Sequence, residues 1–288
     1  MIDDILSVME SMIPTFSKGQ RRIATYITES YDKAAFMTAS KLGKTVGVSE
    51  STVVRFAMEL GYDGYPSMQK ALQELVMSSL TTVQRMGVAT DRIGDRDVIA
   101  TVLQSDIDKL RRTSDQLNRE DFQDAVDSLV QAHKIYVIGV RSASVLANFA
   151  GYYMNYIFDN VHIITTAGES DMLEKLVHVQ SGDVVFAISF PRYSAATLKG
   201  VQHCRQAGAT VIGLTNSSLS PLAQICDHIL IAKSDMISLV DSLVAPLSVL
   251  NALLVALADE KREIVQKNLD TLERVWDTYN VYEKRNEL

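Results

Sequence analysis

The sequence predicts two domains of different class: an all-α helix-turn-helix domain, followed by an α/β doubly wound domain on a five-stranded parallel sheet. Three observations carry that reading. The chain has 288 residues, a length that a prior of one domain per 100–200 residues splits in two. Residues 1–80 show only the three-to-four spacing of amphipathic helices. From residue 134 onward, short β-branched runs alternate with helix-length segments, the pattern of parallel strands covered on both faces. The chain divides into a helix-turn-helix domain over 1–80, a linker over 81–105 and a sheet domain over 106–288.

The elements follow in order. Ile5, Val8, Met9 and Met12 recur at helical spacing until Pro14 breaks the run. Ser17 is placed to cap a second helix that carries Ile23 and Ile27. The apolar series Leu42, Val46, Val53, Phe56 and Leu60 is interrupted at Gly47 and ended by Gly61 and Gly64. Pro66 opens a helix over 68–80. Gly87, Gly94 and the mixed charges of 91–97 mark the join. Helical patterning resumes near Val98, runs to about Leu117, and recurs over 121–132. Strands are expected at 135–138, 161–164, 184–188, 211–214 and 229–231, the first four each followed by a polar turn and a helix-length segment. Asp241 is placed to cap a long apolar helix over 242–258, and a charged helix over 263–284 closes the chain. That apolar helix is 17 residues long and contains Pro246 and Asn251, so it reads as buried, not membrane-spanning.

Composition excludes several classes of function. Apolar residues at 47% and charged residues at 22% support a packed core and exclude a disordered or collagen-like chain. The two cysteines, Cys204 and Cys226, form no ligand spacing with histidines, so no metal is expected and both read as plain buried thiols of a reducing, cytoplasmic compartment. The first ten residues carry Asp3, Asp4 and Glu10 and lack the basic start of a secretory signal. Eight basic residues face nine acidic ones in 1–80, and twenty face twenty-six in the remainder. Any nucleic-acid contact must therefore come from a local patch.

Such a patch is legible at residues 39–58, ASKLGKTVGVSESTVVRFAM. Gly43 supplies the small residue where two helices cross closely, and Gly47, four positions on, supplies the tight turn. Leu42, Val46, Val48, Val53 and Phe56 fill the positions where the helices face each other, and Ser49 caps the second helix. A recognition helix enters the major groove N-terminus first. Its early exposed residues are Ser49, Glu50, Ser51, Thr52 and Arg55. Arg55 can fork onto a guanine edge and Glu50 can accept from a cytosine amine, while Ser51 and Thr52 suit phosphate or base. Lys41, Lys44 and Lys70 are candidate backbone contacts.

In the second half, the expected strand ends are rich in hydroxyls. Arg141, Ser142 and Ser144 follow the first strand. Ser189, Arg192, Ser194 and Thr197 follow the third, read here as a non-adjacent position in the sheet. The fourth ends in Thr215, Asn216, Ser217 and Ser218. Hydroxyls, backbone N–H groups and helix N-termini are what a bound phosphate needs. There is no Walker lysine motif and no full Gly-x-Gly-x-x-Gly, so nucleotide hydrolysis and dinucleotide cofactors find no support.

The helix-turn-helix followed by Leu60-Gly61-Tyr62-Asp63-Gly64-Tyr65 resembles the N-terminal domain of RpiR-type bacterial transcription regulators. The α/β half resembles the sugar isomerase (SIS) domain that those regulators carry, in the same order and over nearly the whole chain. Two phrases are similar to one branch of that family: residues 188–194 followed by Thr197, and residues 241–247. The resemblance implies a non-enzymatic regulator of carbohydrate metabolism, homodimeric or homotetrameric, that binds double-stranded operator DNA and senses a phosphorylated sugar without a cofactor. The usual SIS phosphate loop reads Ser-x-Ser-Gly-x-Thr-x-Asp/Glu-Thr. Here Ser189 keeps the first serine, Pro191 replaces the second, Arg192 the glycine, Ser194 the threonine and Ala196 the acid. Arg141 and Arg192 can supply charge where a serine is lost, or select a carboxylate or a different phosphorylated compound.

Two other readings compete. A sugar-phosphate isomerase needs a base over the substrate, for which Glu169 and His162 are the candidates, with His162 more in keeping with a core or interface residue. A purely dimerising module would use 242–258 as its interface helix. Tyr152, Tyr153 and Tyr156 form a helical aromatic cluster, read as packing or as a wall of the ligand pocket.

Overall fold

The structure, a computed structural model, describes residues 5–79, 97–235 and 241–282. It separates into two compact units, Met1–Val88 and Ala89–Leu288.

The first unit is helical: α1 (Ile5–Met12), α2 (Lys18–Glu29), α3 (Tyr31–Ala34), α4 (Ala39–Val46), α5 (Glu50–Glu59) and α6 (Tyr65–Ser79). Pro14 ends α1 in a single 3₁₀ turn, Ile13–Thr15. Ser17 caps α2 in a full capping box with Gln20, so two otherwise unpaired amides are satisfied at once. The short α3 has no counterpart in the sequence reading. Phe16, Ile23, Ile27, Leu42, Val53, Phe56, Met68 and Leu72 form the core. Phe16 meets Phe56 edge-on, with ring centroids 5.2 Å apart.

The second unit is a doubly wound α/β sandwich. It runs α7 (Val98–Gln116), α8 (Arg119–Gln131), β1 (Ile135–Gly139), α9 (Ala143–Ile157), β2 (Val161–Ile164), α10 (Glu169–Lys175), β3 (Val184–Ile188), α11 (Ala195–Gln206), β4 (Thr210–Thr215), β5 (His228–Ile231), α12 (Val244–Glu260) and α13 (Arg262–Tyr279). All strands are parallel, in the order β2-β1-β3-β4-β5. Successive residues of β1 feed opposite layers. Ile135 and Val137 join Leu146, Leu250 and Leu253, whereas Tyr136 and Ile138 join Met172, Leu176 and Val201.

Several expectations need correction. Of the stretch read as linker, 81–96 lies outside the described residues, and Val98 already begins α7. Covering on both faces holds for β1 and β3 but not for β2, an edge strand whose His162 and Ile163 are exposed. No α-helix follows β4; the serine-rich segment folds into turns, with Leu219 N–H on Ser217 Oγ (3.2 Å) and Ala223 N–H on Ser220 Oγ (3.1 Å). Asp241 does not cap α12, whose N-cap is Leu243 without a side-chain bond. Ser242 instead donates to Asp106 Oδ1 (2.6 Å). The face of α12 that carries Leu250, Leu253 and Leu257 is core, while Val244 and Val255 are exposed. The closing helix stops at Tyr279 because Asn280 turns left-handed (φ 49°), a conformation asparagine tolerates; positions 283–284 lie outside the described residues.

Gly139, the last residue of β1, sits under α9. A Cβ there would lie 2.6 Å from the Ala143 carbonyl oxygen and 2.9 Å from Ala147 Cβ. Backbone would have to move to admit it. Gly139→Ala is expected to cost about 1–3 kcal/mol by overpacking, read as a lowered midpoint in urea denaturation.

Candidate functional site

The first candidate site is the α4–turn–α5 unit. A Cβ on Gly43 would lie 2.9 Å from Val48 O, so only glycine lets the chain pass there. Gly47 adopts φ +70°, the left-handed turn. Its carbonyl accepts from the Arg22 guanidinium of α2. Thr38 caps α4 through Lys41 N–H (3.2 Å), and Ser49 caps α5 through Thr52 N–H (3.2 Å). Ser49 Oγ also lies 2.9 Å from Ser51 Oγ and 2.8 Å from Thr52 Oγ1. Arg55 Nε donates to Ser51 O (3.3 Å), which lays the exposed guanidinium along the same turns of α5. Ser49, Glu50, Ser51 and Arg55 are thus exposed together at the N-terminal half of α5, with Thr52 half-buried beside them and Lys44 in the last turn of α4. Lys70 lies on α6, outside the α4–turn–α5 unit.

The second lies beyond the carboxyl ends of the sheet. β1 pairs directly with β3, Gly139 opposite Ile188, so the two hydroxyl loops read as non-adjacent are neighbours. They flank the point where strand order reverses, the usual ligand crevice of such sheets. In the first loop Arg141 has φ 55°, and Ser144 Oγ donates to Arg141 O (2.6 Å), so that hydroxyl is spent on the turn. Ser142 is exposed at the start of α9 and makes no capping bond. In the second loop Ser189 is buried at the strand end and Ser194 caps α11 through Thr197 N–H (3.3 Å). Thr197 is fully buried, and its hydroxyl has no hydrogen-bond partner among the described residues. Arg192 is exposed.

Sequence reasoning missed the polar chain that fixes this end. Tyr193 Oη donates to Asn216 Oδ1 (2.8 Å), and Asn216 O accepts from Lys233 Nζ (3.2 Å). Lys233 N–H donates to Thr113 Oγ1 of α7 (2.9 Å). Further along α7, Lys109 is 1% exposed, with Nζ on Ser105 Oγ (2.7 Å) and Asp106 Oδ1 (3.4 Å). A buried ammonium is tolerated only with such acceptors. The one sequence signal was a lysine directly after an apolar strand.

The isomerase candidates fare differently. Both carboxylate oxygens of Glu169 accept from Lys199 Nζ at 2.9 Å. His162 is not a core residue: it stands exposed on the edge strand, stacked on Tyr136 at 5.0 Å. Tyr152 and Tyr153 are exposed on α9, and Tyr156 Oη donates to Tyr152 Oη (2.5 Å). Burial pushes the Cys204 and Cys226 thiols up to about 12. Among the described residues no cluster could hold a metal, and no helix is long and apolar enough to cross a membrane.

Two family models match the chain: the helix-turn-helix domain of the rpiR family over residues 4–79, and the SIS domain over 128–256. The chain belongs to the RpiR family. As an RpiR-family chain it is a DNA-binding transcriptional regulator with a SIS domain. A helix-turn-helix-type transcriptional regulator of Caldanaerobacter subterraneus subsp. tengcongensis is 27% identical over 278 residues, 94% of this chain and 96% of that one. The sugar isomerase domain of an RpiR transcription factor from Sphaerobacter thermophilus superposes with a TM-score of 0.59 at 27% identity, covering 62% of this chain and 98% of that one. The Vibrio vulnificus NanR protein complexed with ManNAc-6P shares the fold, with a TM-score of 0.59, 24% identity and coverage of 95% and 98%.

The RpiR-type turn gives a direct test. Gly47→Ala forces a Cβ into a left-handed conformation and is expected to cost about 1–2 kcal/mol. Gly47→Asn, which tolerates that conformation better, should recover part of it, both read as shifts of the urea midpoint.

Proposed function

We propose that this RpiR-family regulator reads operator DNA through α5 and releases or tightens its grip when a small phosphorylated sugar or related anion binds between the β1 and β3 loops. Residues 1–80 act as the DNA-binding domain. They are joined, through the segment before α7, to a sensing and dimerisation domain that begins with α7. Glu50 and Arg55 read base edges, while Lys44, Ser49, Ser51 and Thr52 hold the backbone or either base. Arg141, Ser142, Ser189, Arg192, Ser194 and Thr197 form the ligand site, with Ser144 shaping its first loop. The protein works in the cytoplasm as a homodimer or homotetramer, so that two recognition helices meet two half-sites about one helical turn apart.

The observation that carries the reading is the buried Thr197 hydroxyl, without a partner among the described residues, beside two adjacent hydroxyl loops at the reversal of strand order. An unpaired buried hydroxyl costs about 1–3 kcal/mol, and an incoming phosphate oxygen would remove that cost. The complex of NanR with ManNAc-6P supports the phosphosugar class of ligand. The ligand acts by binding one arrangement of the oligomer better than another. Regulation without catalysis is favoured because the candidate base Glu169 already holds the Lys199 ammonium with both oxygens.

A thermal-shift panel of sugar phosphates, their unphosphorylated parents and small carboxylates tests the sensor. A ligand at about 100 times its dissociation constant should stabilise by roughly 2.7 kcal/mol. Ser189→Ala and Thr197→Val should abolish the shift at the same concentration; a shift that survives both variants sinks the proposed site. For the DNA half, Arg55→Ala should cost about 1–3 kcal/mol in gel-shift affinity for the preferred duplex and relax base preference at one position per half-site.

A further inference from the structure

The helix-turn-helix does not stand alone on its face of the first unit. The first turn of α2 packs against the start of α5: a Cβ on Gly19 would sit 3.5 Å from Val48 Cγ1 and 3.6 Å from Thr52 Cγ2. One turn on, the Arg22 guanidinium donates to the Gly47 carbonyl in the turn itself. That bond uses only part of a group with five N–H donors. Lys18 lies four residues before Arg22 and hence on the same face of α2. Lys18 and Arg22 are both exposed, and neither makes an ion pair with any described residue. The capping box already spends Ser17 and Gln20 on the helix start, so what this end of α2 offers a ligand is side-chain charge.

No carboxylate among the described residues pairs with either cation. The next acid on α2 is Glu29, eleven residues beyond Lys18 and therefore about 16 Å along the axis. Glu59, from the last turn of α5, does reach this end of α2, but its carboxylate accepts from Gln20 Nε2. Glu50 alone shares the α5 end, where a base-reading acid is expected. Arg22 at the turn, Lys18 one turn before it on α2 and Lys44 in the last turn of α4 are exposed cations, although residues 1–80 are slightly acidic as a whole.

We propose that Lys18 and Arg22 of α2 contact DNA backbone phosphates beside the recognition helix, so that the DNA-binding surface comprises α2 together with α4 and α5. Arg22 has a second role: it fixes the turn that aims α5, so a phosphate contact there is linked to the orientation of the reading helix. The inference rests on the reading of α5 as the recognition helix. Phosphate contacts carry no sequence information but release counterions, which gives them a signature distinct from base readout.

The test uses the full-length protein, the tightest duplex recovered from a random-sequence library, and an unrelated duplex of equal length. Affinity is followed by fluorescence anisotropy between about 50 and 200 mM salt. Lys18→Ala should lower the slope of log K against log salt by about 0.9 for each contact removed, on both duplexes alike. The wild-type advantage should shrink about threefold per contact across that salt range. The affinity ratio between the two duplexes should stay constant. Arg22→Gln, which keeps a donor for Gly47 O and loses the charge, should do the same, with far-UV circular dichroism confirming an intact fold. Arg55→Ala, in contrast, should reduce the ratio between duplexes. A wild-type salt slope in both α2 variants would overturn the proposal, as would a changed duplex ratio at constant slope. Absence of salt-sensitive binding by the wild type would remove the recognition-helix reading first and this proposal with it.

Discussion

The parallel pairing of β1 with β3 is the constraint on which the second unit depends. With Gly139 opposite Ile188, the loops that begin at Val140 and Ser189 leave the sheet side by side. The chain reaches β2 on one side of β1 and β4 on the other side of β3, so no strand covers the crevice between them. Gly139 makes this geometry possible at its tightest point, because α9 must start immediately above the strand end. A larger residue would push Ala143 off the strand end.

The same physical device recurs in the first unit. Gly43 admits the Val48 carbonyl and Gly47 turns the chain through a left-handed conformation, so α4 and α5 pack within a short loop. In both units a backbone approach that no side chain permits fixes the angle of a functional helix. The difference lies in what surrounds it. Around Gly47 the neighbours are Arg22, Lys44 and the hydroxyls of Ser49, Ser51 and Thr52, suited to a polyanion. Beyond Gly139 the two loops carry the hydroxyls of Ser142, Ser189, Ser194 and Thr197 with Arg141 and Arg192, groups suited to a small anion.

Polar side chains lock the loops beyond β3 and β4 to α7. Tyr193, Asn216, Lys233 and Thr113 are joined in sequence by hydrogen bonds of 2.8–3.2 Å. Lys109 and Asp106, on the same helix, hold Ser105 and Ser242. Buried groups of this kind are costly unless every partner is present, which makes the arrangement sensitive to displacement. The chain of bonds runs from the Tyr193 loop to α7.

The sequence by itself determined the local events. Gly43, Gly47 and Ser49 announced their turn and cap, and Val161–Ile164 and Val184–Ile188 their strands, because glycine conformation, hydroxyl capping and strings of β-branched residues act over a few neighbours. The hydroxyls of the two loops were legible for the same reason. Tertiary structure alone decided what depends on strand order and long-range approach. It made the two loops neighbours, set His162 on an exposed edge, gave Glu169 to Lys199, and brought Thr113 to Lys233 across 120 residues. It also brought Arg22 to the turn at Gly47. Those contacts join residues far apart in the chain, and no periodicity or spacing within one segment encodes which surfaces will meet.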